Sequence, residues 1–399
     1  MDEDQDRTSM LKSLECRFDA ITRSWLVRDV LWPFLITRVG LLAVGVFAMS
    51  GMKERPSGQP WHLSNVPFLD MWGRWDTGWL LSIAKRGYSV EPLYQQYTNL
   101  PFFPLYPQLM RVLTSLVPNG SDQAFLLAGV IISNVCLLVA LVFLRKLVLL
   151  DFDHYVARRT LFYLLVFPTS FYFSAVYTES LFVMLTVMTF YYARKETWWL
   201  AGLCGGLSAL TRSIGVFVLI PIAYVYLESR QFKIRQIDWS AAALLLIPLG
   251  LAPFSIYLYQ LTGDPFAFAA AHAAWGRQLT PPPALLGRIY TNLQFQRDHF
   301  GAYSPLVDVL FTVGPLGLIG YSLRSLKPYY LIFALYAWLV PILSGSLLSM
   351  PRCVLIVFPL FISLGIVGRH QTVNTALVVI SSLLSGLFMA MFSLWYWVA

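Results

Sequence analysis

The chain has 399 residues, of which 57% are hydrophobic and only 13% charged, with a formal net charge of +8. A soluble protein of this size carries roughly twice that fraction of charge. Apolar runs of about twenty residues recur along the chain, the pattern of membrane-spanning helices. The cationic excess does not point to nucleic acid. Lys and Arg fall mostly in short segments between apolar runs, where they set membrane topology.

Taken in chain order, residues 1–28 come first. Leu11, Leu14, Phe18, Ile21 and Trp25 recur at three- and four-residue steps, with Lys12, Glu15, Asp19 and Arg23 on other faces. This spacing predicts a cytoplasmic amphipathic segment lying on the membrane surface, with a plain polar tail as the alternative. No cleavable signal peptide is expected, because the first apolar run begins only near Val30. Residues 29–399 are predicted to form one all-α polytopic domain. Its spans are expected near 30–49, 124–144, 160–176, 179–193, 197–211, 213–228, 239–260, 304–323, 329–347, 353–368 and 373–396, about eleven in all. Only helices satisfy their own backbone groups in lipid without closing a barrel. Pro168 and the glycines Gly202, Gly205 and Gly206 interrupt the pattern between 160 and 228.

The short inter-span segments containing Arg145, Lys146, Arg194, Lys195, Arg324 and Lys327 are densely basic, which predicts a cytoplasmic N-terminus and an external C-terminus. Two external loops then dominate, at about 50–123 and about 261–303. Structureless loops of this length are uncommon unless functional. Asp76, Glu179, Arg212 and Arg352, from four separate parts of the chain, all fall at external span ends or in the first loop. Four charges on one face are better explained by a shared polar cavity than by chance.

Within the first loop, Asp76-Thr77 followed by Trp79, Leu80, Ile83 and Ala84 predicts a short amphipathic helix stopped at Gly87, with Lys85 and Arg86 towards water or phosphate. Asp76 has a bland reading as the N-cap of that helix, worth about 1 kcal/mol. Pro101, Pro104 and Pro107 are spaced by three, which favours an extended or broken turn. Phe102, Phe103 and Tyr106 then form either a membrane-interface belt or a platform for a sugar ring. Glu179 and Arg212 allow a structural ion pair, or an arginine facing a phosphate with Glu179 orienting it. The loop residues His272, Arg277, Arg288, Arg297 and His299 have no metal spacing and read as solvated. Cys16, Cys136, Cys204 and Cys353 are far apart and read as small core residues. No metal site and no cofactor are expected.

The segment from Arg74-Trp75-Asp76-Thr77-Gly78-Trp79 to Lys85-Arg86-Gly87-Tyr88 resembles the first-loop signature of PIG-V-type mannosyltransferases. Phe102-Phe103-Pro104-Leu105-Tyr106-Pro107 is similar to their aromatic-proline motif. Pro168-Thr169-Ser170, Tyr177-Thr178-Glu179-Ser180 and Thr211-Arg212-Ser213-Ile214-Gly215 fit the same family. Ile214 stands where eukaryotic relatives tend to have Asn. The resemblance implies a GT-C glycosyltransferase, a polytopic enzyme that uses a polyprenyl-phosphate sugar and an acidic residue in the first external loop. The compact chain looks like a prokaryotic relative, acting at the outer face of the plasma membrane. The acceptor of eukaryotic members, a glycosylphosphatidylinositol anchor precursor, is therefore not carried over. On this reading Asp76 is the catalytic base. Arg74, Trp75, Lys85, Arg86, Tyr88, Phe103, Tyr106, Glu179, Arg212 and Arg352 are the substrate-binding candidates. The partners are the bilayer, a polyprenyl-phosphate sugar donor and a glycolipid or glycan acceptor, with no nucleic acid. A transporter or flippase for a lipid-linked sugar is the alternative, although such proteins often show repeated halves and none is visible here.

Overall fold

A computed structural model describes residues 24–55, 61–94, 96–117, 120–301 and 303–399. Most of the expected amphipathic segment lies outside the described residues. Those residues form helices and turns, with a lone β-bridge between Tyr94 and Tyr97. Among the described residues five helices are long and apolar enough to cross a membrane: α1 (Leu26–Gly51), α5 (Asp122–Val148), α10 (Trp239–Thr262), α13 (Tyr303–Ser322) and α17 (Gln371–Ser393). Shorter apolar helices fill in between them, namely α9 (Ser213–Ser229), α14 (Pro328–Leu343) and α16 (Phe358–Val367). The remaining helices are α2 (Pro67–Asp70), α3 (Thr77–Arg86), α4 (Leu105–Thr114), α6 (His154–Val166), α7 (Glu179–Arg194), α8 (Trp198–Ala209), α11 (Ala267–Ala271), α12 (Pro282–Phe300) and α15 (Met350–Leu355).

Three local expectations are corrected. A continuous span over 160–176 does not form. Helix α6 ends at Val166, Pro168 follows, and a short 3-10 turn covers Ser170–Phe173. Proline cannot donate the hydrogen bond that would continue the helix, and its ring crowds the preceding turn. The freed carbonyls of Leu165 and Ser170 accept hydrogen bonds of 2.9 and 2.8 Å from Arg38, which is buried in α1. An intramembrane arginine thus takes the place of the missing helical donors. The segment it steadies leads directly to Tyr172, Tyr177 and Glu179.

The second correction concerns α8, which runs unbroken through Gly202, Gly205 and Gly206. These glycines serve packing. A Cβ on Gly202 would lie 2.1 Å from the Ala243 carbonyl oxygen, and one on Gly206 would lie 2.5 Å from that of Leu246. Small residues let α8 and α10 touch backbone to backbone, as is common where helices pack in lipid. The third correction is that the stretch 261–303 is not structureless, since α11, a 3-10 turn over His272–Trp275 and α12 together cover most of it. The apolar core runs continuously through α1, α5, α6, α7, α9 and α14–α17. The first-loop helices α3 and α4 pack on α5 through Leu80, Leu81, Ala84, Met110, Phe125 and Leu126. Burial on the protein therefore fixes the segment that carries Asp76.

Candidate active site

The predicted helix after Asp76 forms as α3 and stops at Gly87, whose φ of +83° is reached easily only by glycine. Asp76 occupies the N-cap position, but its side chain makes no capping hydrogen bond. Its backbone N–H donates to the Tyr177 hydroxyl at 3.2 Å, and that hydroxyl donates to the Arg74 carbonyl at 3.0 Å. The Asp76 carboxylate is left pointing at Arg352, whose Nη1 donates to Oδ2 at 2.6 Å. Arg352 Nε donates at 2.9 Å to Glu179 Oε1. The same Glu179 oxygen accepts from Arg212 Nη1 at 2.9 Å, and Arg212 also reaches the Thr178 hydroxyl at 3.1 Å. The four charges expected on one face thus meet in one chain of ion pairs, Arg212–Glu179–Arg352–Asp76.

Access to these groups is graded. The Glu179 side chain is fully buried, Arg352 is 9% exposed, Asp76 15% and Arg212 21%. Glu179 is therefore the internal post, and Asp76 and Arg212 are the ends that meet the outside. The Arg352 guanidinium also lies over the rings of Tyr177 and Tyr172, at 4.5 and 5.1 Å. Aromatic faces of this kind hold a cation without competing for its hydrogen-bond donors. Glu179 Oε2 is buried and has no hydrogen-bond partner among the described residues. Of the two readings left open for Glu179 and Arg212, the ion pair is present, and Arg212 remains partly exposed.

The remaining candidates divide. Arg74 is fully buried, with an ion pair to Asp70 at 2.9 Å and donations to the carbonyls of Asp70, Gly73 and Ser393. It braces the loop and offers a ligand nothing. Burial works against charge on Asp70, but Arg74, His62 and the Leu63 N–H outweigh it and hold the carboxyl below the usual range. Trp75 packs among Phe300, Trp395 and Trp397. Lys85 pairs with Asp122 at the surface, and Arg86 is exposed beside a small recess lined by Ser82, Tyr88 and Asn99.

The aromatic-proline motif also differs from expectation. Helix α4 begins at Leu105, and Pro107 fits its first turn, where no N–H is needed. Tyr106 is consequently turned into the core, its hydroxyl bonded to the Gly129 carbonyl at 2.9 Å and to Ser133 at 2.8 Å. Phe103 is buried against Phe254 and Phe268. Neither is open to a sugar. Tyr88 is half-buried and donates to the Phe102 carbonyl at 2.6 Å.

Phe102, the third ring of that motif, lies differently, and residues that sequence reading missed join it near the site. Trp79 and Phe102 stack with ring centroids 6.0 Å apart, and Trp275 of the second loop closes on both at 5.7 and 6.1 Å. These rings, unlike Phe103 and Tyr106, are partly exposed. Asp308 lies buried in α13 and accepts the Met350 N–H at 3.0 Å. Oriented so that both its atoms find a partner, the Gln296 amide bridges Asp308 and the Leu348 N–H at 3.0 and 3.1 Å. Together they fix the left-handed Ser349 turn (φ +68°) that delivers Arg352. A lone aspartate in an apolar run was the available signal for Asp308, as a lone arginine was for Arg38. Above all burial, and also the nearby Arg277 and Arg212, push the His272 ring below the usual histidine range, against its hydrogen bond to the Phe268 carbonyl. A neutral His272 leaves the positive charge beside it to the arginines.

Two solved structures share this architecture. The oligosaccharyltransferase of Archaeoglobus fulgidus, crystallised with zinc and sulfate, aligns with a TM-score of 0.50 at 14% identity, over 90% of this chain and 53% of that one. ArnT from Cupriavidus metallidurans, bound to undecaprenyl phosphate, aligns with a TM-score of 0.50 at 11% identity, over 91% of this chain and 76% of that one. The chain spans about half the length of the archaeal protein. At these identities the likeness is one of fold. No curated protein matches the sequence. The family model described as mannosyltransferase (PIG-V) matches residues 60–260, half the chain and the part that contains Asp76, Glu179 and Arg212, so the chain belongs to the PIG-V mannosyltransferase family.

Proposed function

We propose that the protein is an inverting mannosyltransferase that moves mannose from a polyprenyl-phosphate donor to a lipid-linked or glycan acceptor at the external membrane face. The observation that carries this reading is the ion-pair chain, which puts one partly exposed carboxylate, Asp76, within a hydrogen bond of an arginine anchored by a buried glutamate. In the reaction the acceptor oxygen attacks the anomeric carbon. The new C–O bond forms as the bond from that carbon to the phosphate oxygen breaks. The acceptor proton passes to Asp76, a transfer typically worth about 10²–10⁴-fold. The polyprenyl phosphate leaves with its negative charge, which Arg352 and Arg212 receive through charge-assisted hydrogen bonds. A single displacement inverts the anomeric carbon, so a β-linked donor gives an α-mannoside.

Three further points support the reading. The chain belongs to a mannosyltransferase family, and a protein of like fold was crystallised with undecaprenyl phosphate. The basic inner segments favour an external site, as in a prokaryotic plasma membrane. The proposed chemistry places the leaving-group charge on arginines and asks nothing of a metal. The test is purified protein with polyprenyl-phosphate mannose and a glycolipid acceptor, with the product's anomeric configuration read by NMR. Transfer with inversion is expected. A product of retained configuration, or bound donor with no transfer to any acceptor offered, would overturn the mechanism.

A further inference from the structure

A second recess lies at the far end of the aromatic rings that begin beside Asp76. Trp79 is one helical turn beyond Asp76, and it meets Trp275 at 5.7 Å. Trp275 meets Tyr97 at 4.5 Å. Beyond Tyr97 and Trp275 opens a cleft of about 360 Å³ between the two large loops. It is lined by Gln96 and Thr98 from the first loop and by Thr262, Asp264, Ala271 and Ala274 from the second. The volume is of the size that small-molecule sites have, about 300–1,000 Å³.

The chemistry of the cleft differs from that around Asp76. Among the described residues no Lys or Arg lines it, and the one charged side chain is Asp264. An anionic phosphate headgroup would meet a carboxylate there. The Thr262 hydroxyl and the Asp264 carboxylate are already bonded within the second loop, which leaves the Gln96 amide and the Thr98 hydroxyl for a ligand. A neutral, hydroxyl-rich molecule satisfies these groups by hydrogen bonds and lays its C–H faces on the partly exposed rings of Tyr97, Trp275 and Trp79. Val90, Leu100 and alanines form the rest of the lining, an apolar floor for the C–H face of a sugar ring.

We propose that this cleft and its ring track are the acceptor subsite, and that the acceptor is a neutral glycan whose terminal hydroxyl is led along the rings to Asp76. This rests on the mannosyltransferase reading and divides its site in two, with cations for the donor phosphate and uncharged polar groups for the acceptor glycan. The test uses the full chain in detergent with two probes, mannotriose and polyprenyl phosphate, each titrated separately by saturation-transfer NMR. Wild type is expected to bind both. Ala274→Leu narrows the cleft and Gln96→Ala removes a polar edge group. Each is expected to weaken mannotriose binding about tenfold, with polyprenyl phosphate binding and thermal melting unchanged. Gln96 is exposed, so its variant keeps the test open if Ala274→Leu fails to fold. Wild type that ignores mannotriose, or variants that bind it as wild type does, would overturn the proposal. So would Ala274→Leu weakening polyprenyl phosphate instead, which would give the cleft to the lipid chain. Failure of the transferase reading looks different: mannotriose bound as expected, with polyprenyl phosphate not bound at all.

Discussion

Arg74 and Arg352 are the same residue in nearly the same setting. Each is buried, each is bound to an aspartate, at 2.9 Å for Arg74–Asp70 and 2.6 Å for Arg352–Asp76, and each lies over an aromatic face. They differ in what else they hold. Arg74 also donates to the carbonyls of Asp70, Gly73 and Ser393. Backbone carbonyls cannot leave, so this guanidinium is a brace. The hydrogen bonds of Arg352 go to two carboxylates, Glu179 and Asp76, and the second of these is partly exposed. An anion can exchange for a carboxylate at an open edge, so the second guanidinium can serve a ligand. Burial and charge alone do not tell a brace from a site. The kind of acceptor and the exposure of one partner do.

The sharpest way to break this comparison is at the aspartates. Asp76→Asn keeps the shape of the side chain and removes its basicity. Turnover should fall by about 10²-fold or more with donor affinity largely kept. Near-normal turnover in a folded Asp76→Asn variant would reject the catalytic role. Arg74→Met comes next and should act on stability alone. It strands the buried Asp70 carboxylate, a loss of about 3–5 kcal/mol when one partner of a buried pair is removed. Thermal denaturation should register it, and the fraction that stays folded should bind donor normally. Weakened donor binding in that fraction would mean that Arg74 is not merely a brace.

A smaller effect is expected from lysine at the site. Arg352→Lys and Arg212→Lys keep the charge and lose the planar fork, so donor affinity should fall about tenfold while melting changes little. If both variants bind polyprenyl-phosphate mannose as wild type does, the phosphate assignment fails. The smallest effect concerns pH. The Asp70 carboxyl is held below the usual range in the folded state, so its stabilising contribution is present above the unfolded value of about 4 and is lost as pH falls through the folded value. The melting difference between wild type and Asp70→Asn should be flat from neutral pH down to about 4 and shrink below it. A difference that changes between pH 5 and 8 would show that another group sets the stability of this pair.

Several elements were legible because their causes are local. The start and stop of α3 follow from Asp76, the apolar positions Leu80, Ile83 and Ala84, and Gly87, all within three turns. The break after Val166 was half-legible: Pro168 announced an interruption, but nothing nearby showed that Arg38, more than 120 residues earlier, would hold the freed carbonyls. The aromatic motif misled because proline spacing says where a helix cannot continue and not where one can begin. Pro107 sits in a first turn, and the resulting phase turns Tyr106 inward. Trp275 had no signal at all, since its partners Trp79 and Phe102 lie in the other loop.

The sequence by itself determined that this chain is helical and made for a membrane, and that charges sit at the ends of its apolar runs. Hydropathy and helical period are properties of windows no longer than a span. Only the tertiary structure decided which charges are partners. The Asp76–Arg352 bond joins residues 276 positions apart, and Glu179 holds Arg212 and Arg352 on a single oxygen. Those distances depend on how Gly202 and Gly206 let α8 lie against α10, on how Asp308 ties the turn before Arg352, and on how Arg38 steadies the broken segment before Glu179. Ion pairing acts over a few ångströms, and packing of the whole bundle is what brings such groups that close.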